Sequence, residues 1–231
     1  MIQLRPRRNL DGAELDWLRA HHHFAVSAHG NPAHGPLGSL VVLNDDEIAA
    51  GTGFPFHSHA DMEIITYVRE GVVVHRDSLG NAGETRAGDV QVMSAGTGIR
   101  HEERSYPDGT TRIYQIWILP RIRGAQPRWG TKPFPKEDRA GRWIPLASGL
   151  GDEDALPIGA DARVVGATLP ASQSLTYSLS AGRKAYIVPA FGRIQINGLR
   201  LEAGDGAAIQ AEDEIRVEAE EQSEIILIDV A

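Results

Sequence analysis

The stretch Gly51-Thr52-Gly53-Phe54-Pro55-Phe56-His57-Ser58-His59-Ala60-Asp61-Met62-Glu63-Ile64-Ile65-Thr66-Tyr67-Val68 sets two histidines ahead of a run rich in β-branched residues. That run favours a strand. His57 and His59 are i, i+2, so on a strand both imidazoles point to one face, about 7 Å apart along the chain. In a small barrel that face is the interior. Further along, His101-Glu102-Glu103 repeats the spacing with one imidazole and one carboxylate. Two facing strands, each with two inward donors, can converge on one ion.

Working outward, strand signals dominate. Ser39–Leu43, Val72–His75, Val90–Met93, Ile113–Leu119, Ile187–Val188, Ile194–Ile196 and Ile225–Val230 are short, apolar and set off by Gly, Asn, Asp and Pro. This rhythm predicts antiparallel barrels or sandwiches of the jelly-roll kind. One helix is expected near the start, with Asp11 as cap and Ala13–Arg19 as body. Pro120–Pro145 holds five prolines and no periodicity, and reads as a linker. A weak internal echo relates Arg86-Ala87-Gly88-Asp89 to Glu202-Ala203-Gly204-Asp205. Matching Gly71 to Gly192 sets His57, His59 and Glu63 against Ser178, Ser180 and Lys184. Matching Gly88 to Gly204 sets His101 against Val217. A second unit without ligands follows.

The chain's 231 residues are enough to bury a sizeable core. There is no cysteine, which removes disulfides, thiolate zinc and thiol nucleophiles together and fits a reducing cytoplasm. The N-terminal stretch lacks the apolar core of a cleaved signal. No apolar run approaches the roughly 18–20 residues of a membrane-spanning helix. The net charge is −8, and the last 30 residues carry ten acids against Arg216 alone. That field repels phosphate and disfavours direct nucleic-acid binding. Arg5, Arg7 and Arg8 read as a solvated terminal cluster.

All nine histidines lie within residues 1–101, so an imidazole site belongs to the first half. The candidate donors are His57, His59 and His101, a carboxylate such as Glu103, and outlying histidines at 21–23, 29, 34 and 75. Glu63 competes for the carboxylate role. Three imidazoles and a carboxylate suit Fe(II), Mn, Co, Ni, Cu or Zn with open positions better than a closed structural zinc site. His75 is expected to make local hydrogen bonds in a hairpin, and His21–His23 to lie on an edge strand. Gly96 and Gly98 are expected to supply unusual backbone angles beside the site. Phe54, Phe56, Met62, Met93 and Trp117 are candidates for core or cavity lining.

Gly51, His57, His59 and Glu63 fit the general cupin pattern G-x5-H-x-H-x3-E. Ser94 stands where the second cupin pattern usually has proline, and His101 is displaced by two residues. These departures point to one branch. His57–Val68, His75-Arg76-Asp77-Ser78-Leu79-Gly80-Asn81 and the run from Gly88 through Gly96-Thr97-Gly98-Ile99-Arg100-His101-Glu102-Glu103 resemble the pirin family. Leu43-Asn44-Asp45-Asp46 and Tyr114-Gln115-Ile116-Trp117-Ile118 extend the likeness. Ser58 and Ala60-Asp61-Met62, in place of the more common proline and Arg-Gly-Phe, resemble the bacterial quercetinase-like subgroup.

The resemblance implies an all-β bicupin, two jelly-roll barrels in one chain, with a metal-bearing unit at 1–130 and a ligand-free unit at 131–231. It implies His57, His59, His101 and Glu103 as ligands, with Fe(II) the first expectation. Glu63 would stand behind them, bonding a ligand imidazole. The implied activity is quercetin 2,3-dioxygenase: a flavonol ring opened by O2 with release of CO, with Glu103 as proton acceptor and Glu63 as the alternative base. The expected substrate is a small polyphenol, with no nucleic acid or membrane as partner and a monomeric state. The other implied role is a metal-dependent sensor that docks on a protein through its acidic second unit. A third is isomerase or decarboxylase chemistry on another oxygenated substrate, since one fold hosts many reactions.

Overall fold

A computed structural model describes residues 1–25 and 31–231; His29 lies outside the described residues. The chain forms four antiparallel-dominated sheets, paired into two units. In the first unit a seven-stranded sheet runs in the order Arg128–Lys132, Val90–Ser94, Glu63–Glu70, Thr111–Ile118, Leu40–Ile48, Leu18–His22, Asp11–Glu14. It faces a four-stranded sheet of Gly53–His59, Ile99–Ser105, Val72–Asp77 and Ala82–Arg86. Val68, Ile113 and Ile48 from the larger sheet pack with Val73 from the smaller one, and Phe54 joins them. The second unit repeats the plan. Ile2–Arg5, Gly206–Gln210, Lys184–Phe191, Ser223–Val230, Ala162–Leu169, Ile144–Ser148 and Leu156–Pro157 face Ser174–Ser178, Glu214–Ala219, Ile194–Ile196 and Leu199–Leu201.

The two seven-stranded sheets pack against each other. Ile65, Tyr67, Tyr114 and Ile116 from one meet Val164, Tyr186, Val188 and Ile226 from the other in one buried cluster. This explains why residues 63–68 are buried without interruption rather than in alternation. Ile64, Thr66 and Val68 fill the first barrel, while Ile65 and Tyr67 fill the seam, and all are buried. Each such apolar side chain contributes about 1.5–3 kcal/mol by leaving water. Among the described residues no helix is long and apolar enough to cross a membrane.

Five expectations need correction. The helix over Ala13–Arg19 is absent: Asp11–Glu14 and Leu18–His22 form an antiparallel hairpin, with Gly12 opposite His21. Leu18 and Ala20 are buried and Arg19 is exposed, which is period two. A side chain at Gly12 would collide with the Ala20 carbonyl, so glycine there serves the close strand pairing. His21 and His22 lie one strand in from the edge, since Asp11–Glu14 is outermost.

The segment Pro120–Pro145 is more than linker: Arg128–Lys132 pairs with Val90–Ser94 and completes the first large sheet. The sheets also do not divide cleanly near residue 130. Ile2–Arg5 pairs with Gly206–Gln210 in the second unit. Finally, the internal echo shifts. Glu63 and Lys184 both open their strands, as the echo has it. Val217, however, faces Leu175 in register, not Ser178. Leu175, Tyr177, Ile215 and Val217 pack in apolar core where the first unit carries imidazoles.

Candidate metal centre

Gly53–His59 and Ile99–Ser105 are hydrogen-bonded neighbours, and His57 stands directly opposite His101. The ladder is irregular between His101 and Glu103, whose partners are His57 and Phe54, so Pro55 and Phe56 bulge out. Proline suits a bulge because it has no N–H to leave unpaired. The bulge also aims the Pro55 carbonyl at His57, whose Nδ1 lies 2.8 Å from it. With Nδ1–H donating there, Nε2 keeps its lone pair for a cation.

The three rings converge. Centroid distances are 4.7 Å for His57–His59, 4.5 Å for His57–His101 and 5.1 Å for His59–His101. One nitrogen from each lies within 4.8 Å of the others. His59 packs edge-on against Trp117 at 4.9 Å. Glu103 comes within the same 4.8 Å limit of a different pair, His75 and His101. The structure therefore brings the four expected ligands onto one cavity as two triads that share His101. The cavity is about 60 Å³, and Asn44, Asp46, Gln115 and Trp117 complete its walls. A shallower groove of about 370 Å³, lined by Ser58, His59, Ala60, Ser78, Ile99 and Arg100, adjoins it at His59.

Electrostatics favour a cation here. Burial, reinforced by His57, pushes His59 down to about 4. Burial, then His57, His59 and His75, pushes His101 down to about 3. The rings are therefore neutral at physiological pH, the form that binds metals. Both nitrogens of His101 are buried without a hydrogen-bond partner. An orphaned buried polar atom costs about 1–3 kcal/mol, which a bound cation would remove. The residues fit a borderline divalent metal held by nitrogen and oxygen.

Glu103 is fixed by amide and hydroxyl donors. Gln115 Nε2 donates to Oε2 at 2.7 Å, Thr66 Oγ1 to Oε1 at 3.1 Å, and Gln91 Nε2 also to Oε1. Glu63 lies elsewhere. Its Oε2 accepts from Ser94 Oγ at 2.6 Å, and it lines a separate cavity with Arg128 and Gly159 at the seam. Burial raises its pKa. It bonds no ligand imidazole, because the first residue of its strand points out of the barrel that Ile64 and Thr66 fill.

His75 does make its expected local bond, with Nε2 3.2 Å from Asp77 Oδ2, but its ring also stands 5.4 Å from His101. His23 bonds the Tyr186 hydroxyl at 2.8 Å in the seam, far from any metal role. Gly96 and Gly98 have φ of 46° and 136°, as the turn beside the site requires. Of the apolar candidates, Phe54 and Trp117 line the cavity, while Met62 and Met93 pack behind it and Phe56 is exposed.

Sequence reasoning missed Asn44, Asp46, Gln91 and Gln115. The signal was there for Asp46: a carboxylate pair inside an apolar strand. Burial, then Asp45 and Glu103, raises Asp46 to about 8.

Fold and site together define a two-barrel cupin with an imidazole-rich metal centre in one barrel. Comparison narrows this. Residues 3–118 match the Pirin family model, and residues 145–230 match that of the quercetinase C-terminal cupin domain. The chain belongs to the pirin family. A pirin-like protein of Caulobacter vibrioides is 54% identical over 100% of both chains. Quercetin 2,3-dioxygenase of Escherichia coli K12 is 38% identical over 100% of this chain and 99% of its own. The crystal structure of the E. coli pirin YhhW in complex with nickel(II) superposes with a TM-score of 0.93 at 35% identity, covering 100% of this chain and 99% of that one.

Proposed function

We propose that the protein is a quercetin 2,3-dioxygenase that binds one Fe(II) through His57, His59, His101 and Glu103. The observation that carries this is the convergence of three imidazoles, His101 with both nitrogens buried and unpartnered, on a cavity that opens beside an exposed groove. The activity named for the full-length E. coli relative supports the substrate class. When bound, the metal would supply Lewis acidity toward a flavonol 3-hydroxyl and open positions for substrate and O2.

The chain's own residues do the rest. The inner cavity, at about 60 Å³, admits small molecules such as O2 and water but not a flavonol. The flavonol body therefore lies in the outer groove against Ser58, Ser78 and Arg100, with its 3-hydroxyl edge at His59. Trp117 and Phe54 keep the inner cavity apolar on one side. Glu103 accepts the hydroxyl proton, and Gln91, Gln115 and Thr66 hold its carboxylate in place for that transfer. Ring opening then inserts both oxygen atoms of O2 into an ester product and expels one carbon as CO. The lack of cysteine suits a cytoplasmic enzyme.

The test is metal analysis of tag-free protein prepared anaerobically, followed by quercetin turnover under oxygen with CO detection. About one metal per chain with metal-dependent CO release supports the proposal. One metal per chain without CO removes the dioxygenase reading and leaves the metal centre.

A further inference from the structure

The connection between the two barrels reaches into the metal centre through one side chain. Trp129, on strand Arg128–Lys132, lies flat against His75, with centroids 4.8 Å apart and planes 8° from parallel. It fits there because Gly83, the register partner of His75, has no side chain; a Cβ at Gly83 would sit 2.4 Å from Trp129 Cη2. The indole also makes a polar contact. Trp129 Nε1 donates to Gln91 Oε1 at 3.4 Å, and the Gln91 amide donates to Glu103.

His75 is wholly buried and held from two directions. Nε2 is tied to Asp77, whose carboxylate accepts from the backbone N–H of Leu79 at 2.9 Å and of Asn81 at 3.0 Å, and from Asn81 Nδ2 at 2.8 Å. Its Nδ1 has no partner, and its ring faces His101. A buried ring with an anchored edge and a stacked face has no freedom to rotate. It is a fixed wall behind His101, while Gln91 is a fixed arm behind Glu103.

We infer that Trp129 is a positioning residue of the metal centre, bracing His101 through His75 and Glu103 through Gln91. One indole thus supports both donors that come from strand Ile99–Ser105. The strand that carries Trp129 is also gripped by the second unit: Arg128 Nη2 donates to the Pro157 carbonyl at 3.2 Å, and Lys132 Nζ to that of Asp154. The ligand geometry of the first barrel therefore depends on the packing of the second, which itself has no histidine.

The inference rests on the metal-site reading and not on the dioxygenase activity, so its test uses binding. Metal-free full-length protein is titrated with Ni(II), and the ligand-field spectrum of the Co(II)-loaded protein is recorded well below the melting temperature. Trp129→Ala is expected to weaken Ni(II) binding about 10- to 100-fold and to change the Co(II) spectrum, the range found when a ligand's hydrogen-bonded support is removed. Trp129→Phe, which keeps the stacking on His75 and loses the N–H to Gln91, is expected to recover only part of the affinity. Thr131→Ala, on the same strand, loosens that strand and touches the Gln91 arm only indirectly through Thr85, so a much smaller loss is expected there. Wild-type affinity and spectrum in folded Trp129→Ala, or an equal loss in Thr131→Ala, would overturn the inference. Failure of wild-type protein to bind Ni(II) at all would instead refute the metal site itself.

Discussion

His57 shows how much one residue's surroundings decide. Its neighbour Pro55 accepts the Nδ1 proton, so the nitrogen offered to a cation is chosen before any cation arrives. His59 and His101 reach the same readiness by burial. His59→Ala is expected to lower divalent-metal affinity by more than about a hundredfold and to abolish turnover with it. Competition titration against a chelator checks this, and full activity in a metal-stripped sample would remove the assignment. The two glutamates should separate cleanly. Glu103→Gln keeps the fold but weakens metal binding about tenfold or more and slows turnover. Glu63→Gln leaves metal affinity unchanged, because its carboxylate serves Ser94 at the seam. The reverse order, read by titration and steady-state kinetics, would give Glu63 the role.

At the scale of elements, the turn between Val90–Ser94 and Ile99–Ser105 sets the direction in which His101 enters the barrel. Gly96 there has φ of 46°, and a Cβ would sit 2.0 Å from the Ala125 carbonyl oxygen. Thr97 N–H bonds that same carbonyl at 2.9 Å, so the turn is docked on the connecting segment. Gly96→Ala is expected to cost about 1–3 kcal/mol in urea unfolding and to weaken metal binding with it. Unchanged stability would show that the turn relaxes freely. The same scale explains what could be read in advance. His57, His59 and His101 were legible because ligand chemistry resides in residue type and spacing. Their neighbours were not. Gln91 and Gln115 reach Glu103 from the facing sheet, and how two sheets stack is not written in local sequence. The helix expected at Ala13–Arg19 failed for a related reason: a few apolar residues fit either period until a neighbouring strand selects one.

For the whole molecule, the seam is both core and titrating surface. His23 is fully buried against Tyr186, and burial first, then Arg5, holds its ring far below the usual range. The unfolded chain takes up a proton near pH 6.5 that the folded ring refuses. The stability His23 confers is therefore complete above that pH and is lost as pH falls through it. Wild-type and His23→Gln proteins, both metal-free, should differ most in urea midpoint at pH 7.5 and less at pH 5. A gap that stays constant would place the titration elsewhere. The two-barrel plan was legible from repeated turns, and the histidine distribution assigned any imidazole site to the first half of the chain. The sharing of strands between units was not, because it joins the two ends of the chain.

That sharing has a consequence for biosynthesis. Strand Ile2–Arg5 is synthesised well before its partner, Gly206–Gln210, and the Met1 ammonium meets the Gln210 carbonyl across a separation of 209 residues. The metal-bearing barrel has all its strands once Lys132 has emerged, but the Asp154 and Pro157 carbonyls that grip the strand of Trp129 are made later. Ile2–Arg5 must meanwhile wait, an unpaired edge, until Gly206–Gln210 is made. Nascent chains stalled before Gly206 should thus carry a first barrel whose ligand strand lacks the support of a packed second unit and an unpaired Ile2–Arg5 edge, the state most exposed to misassembly and chaperone capture.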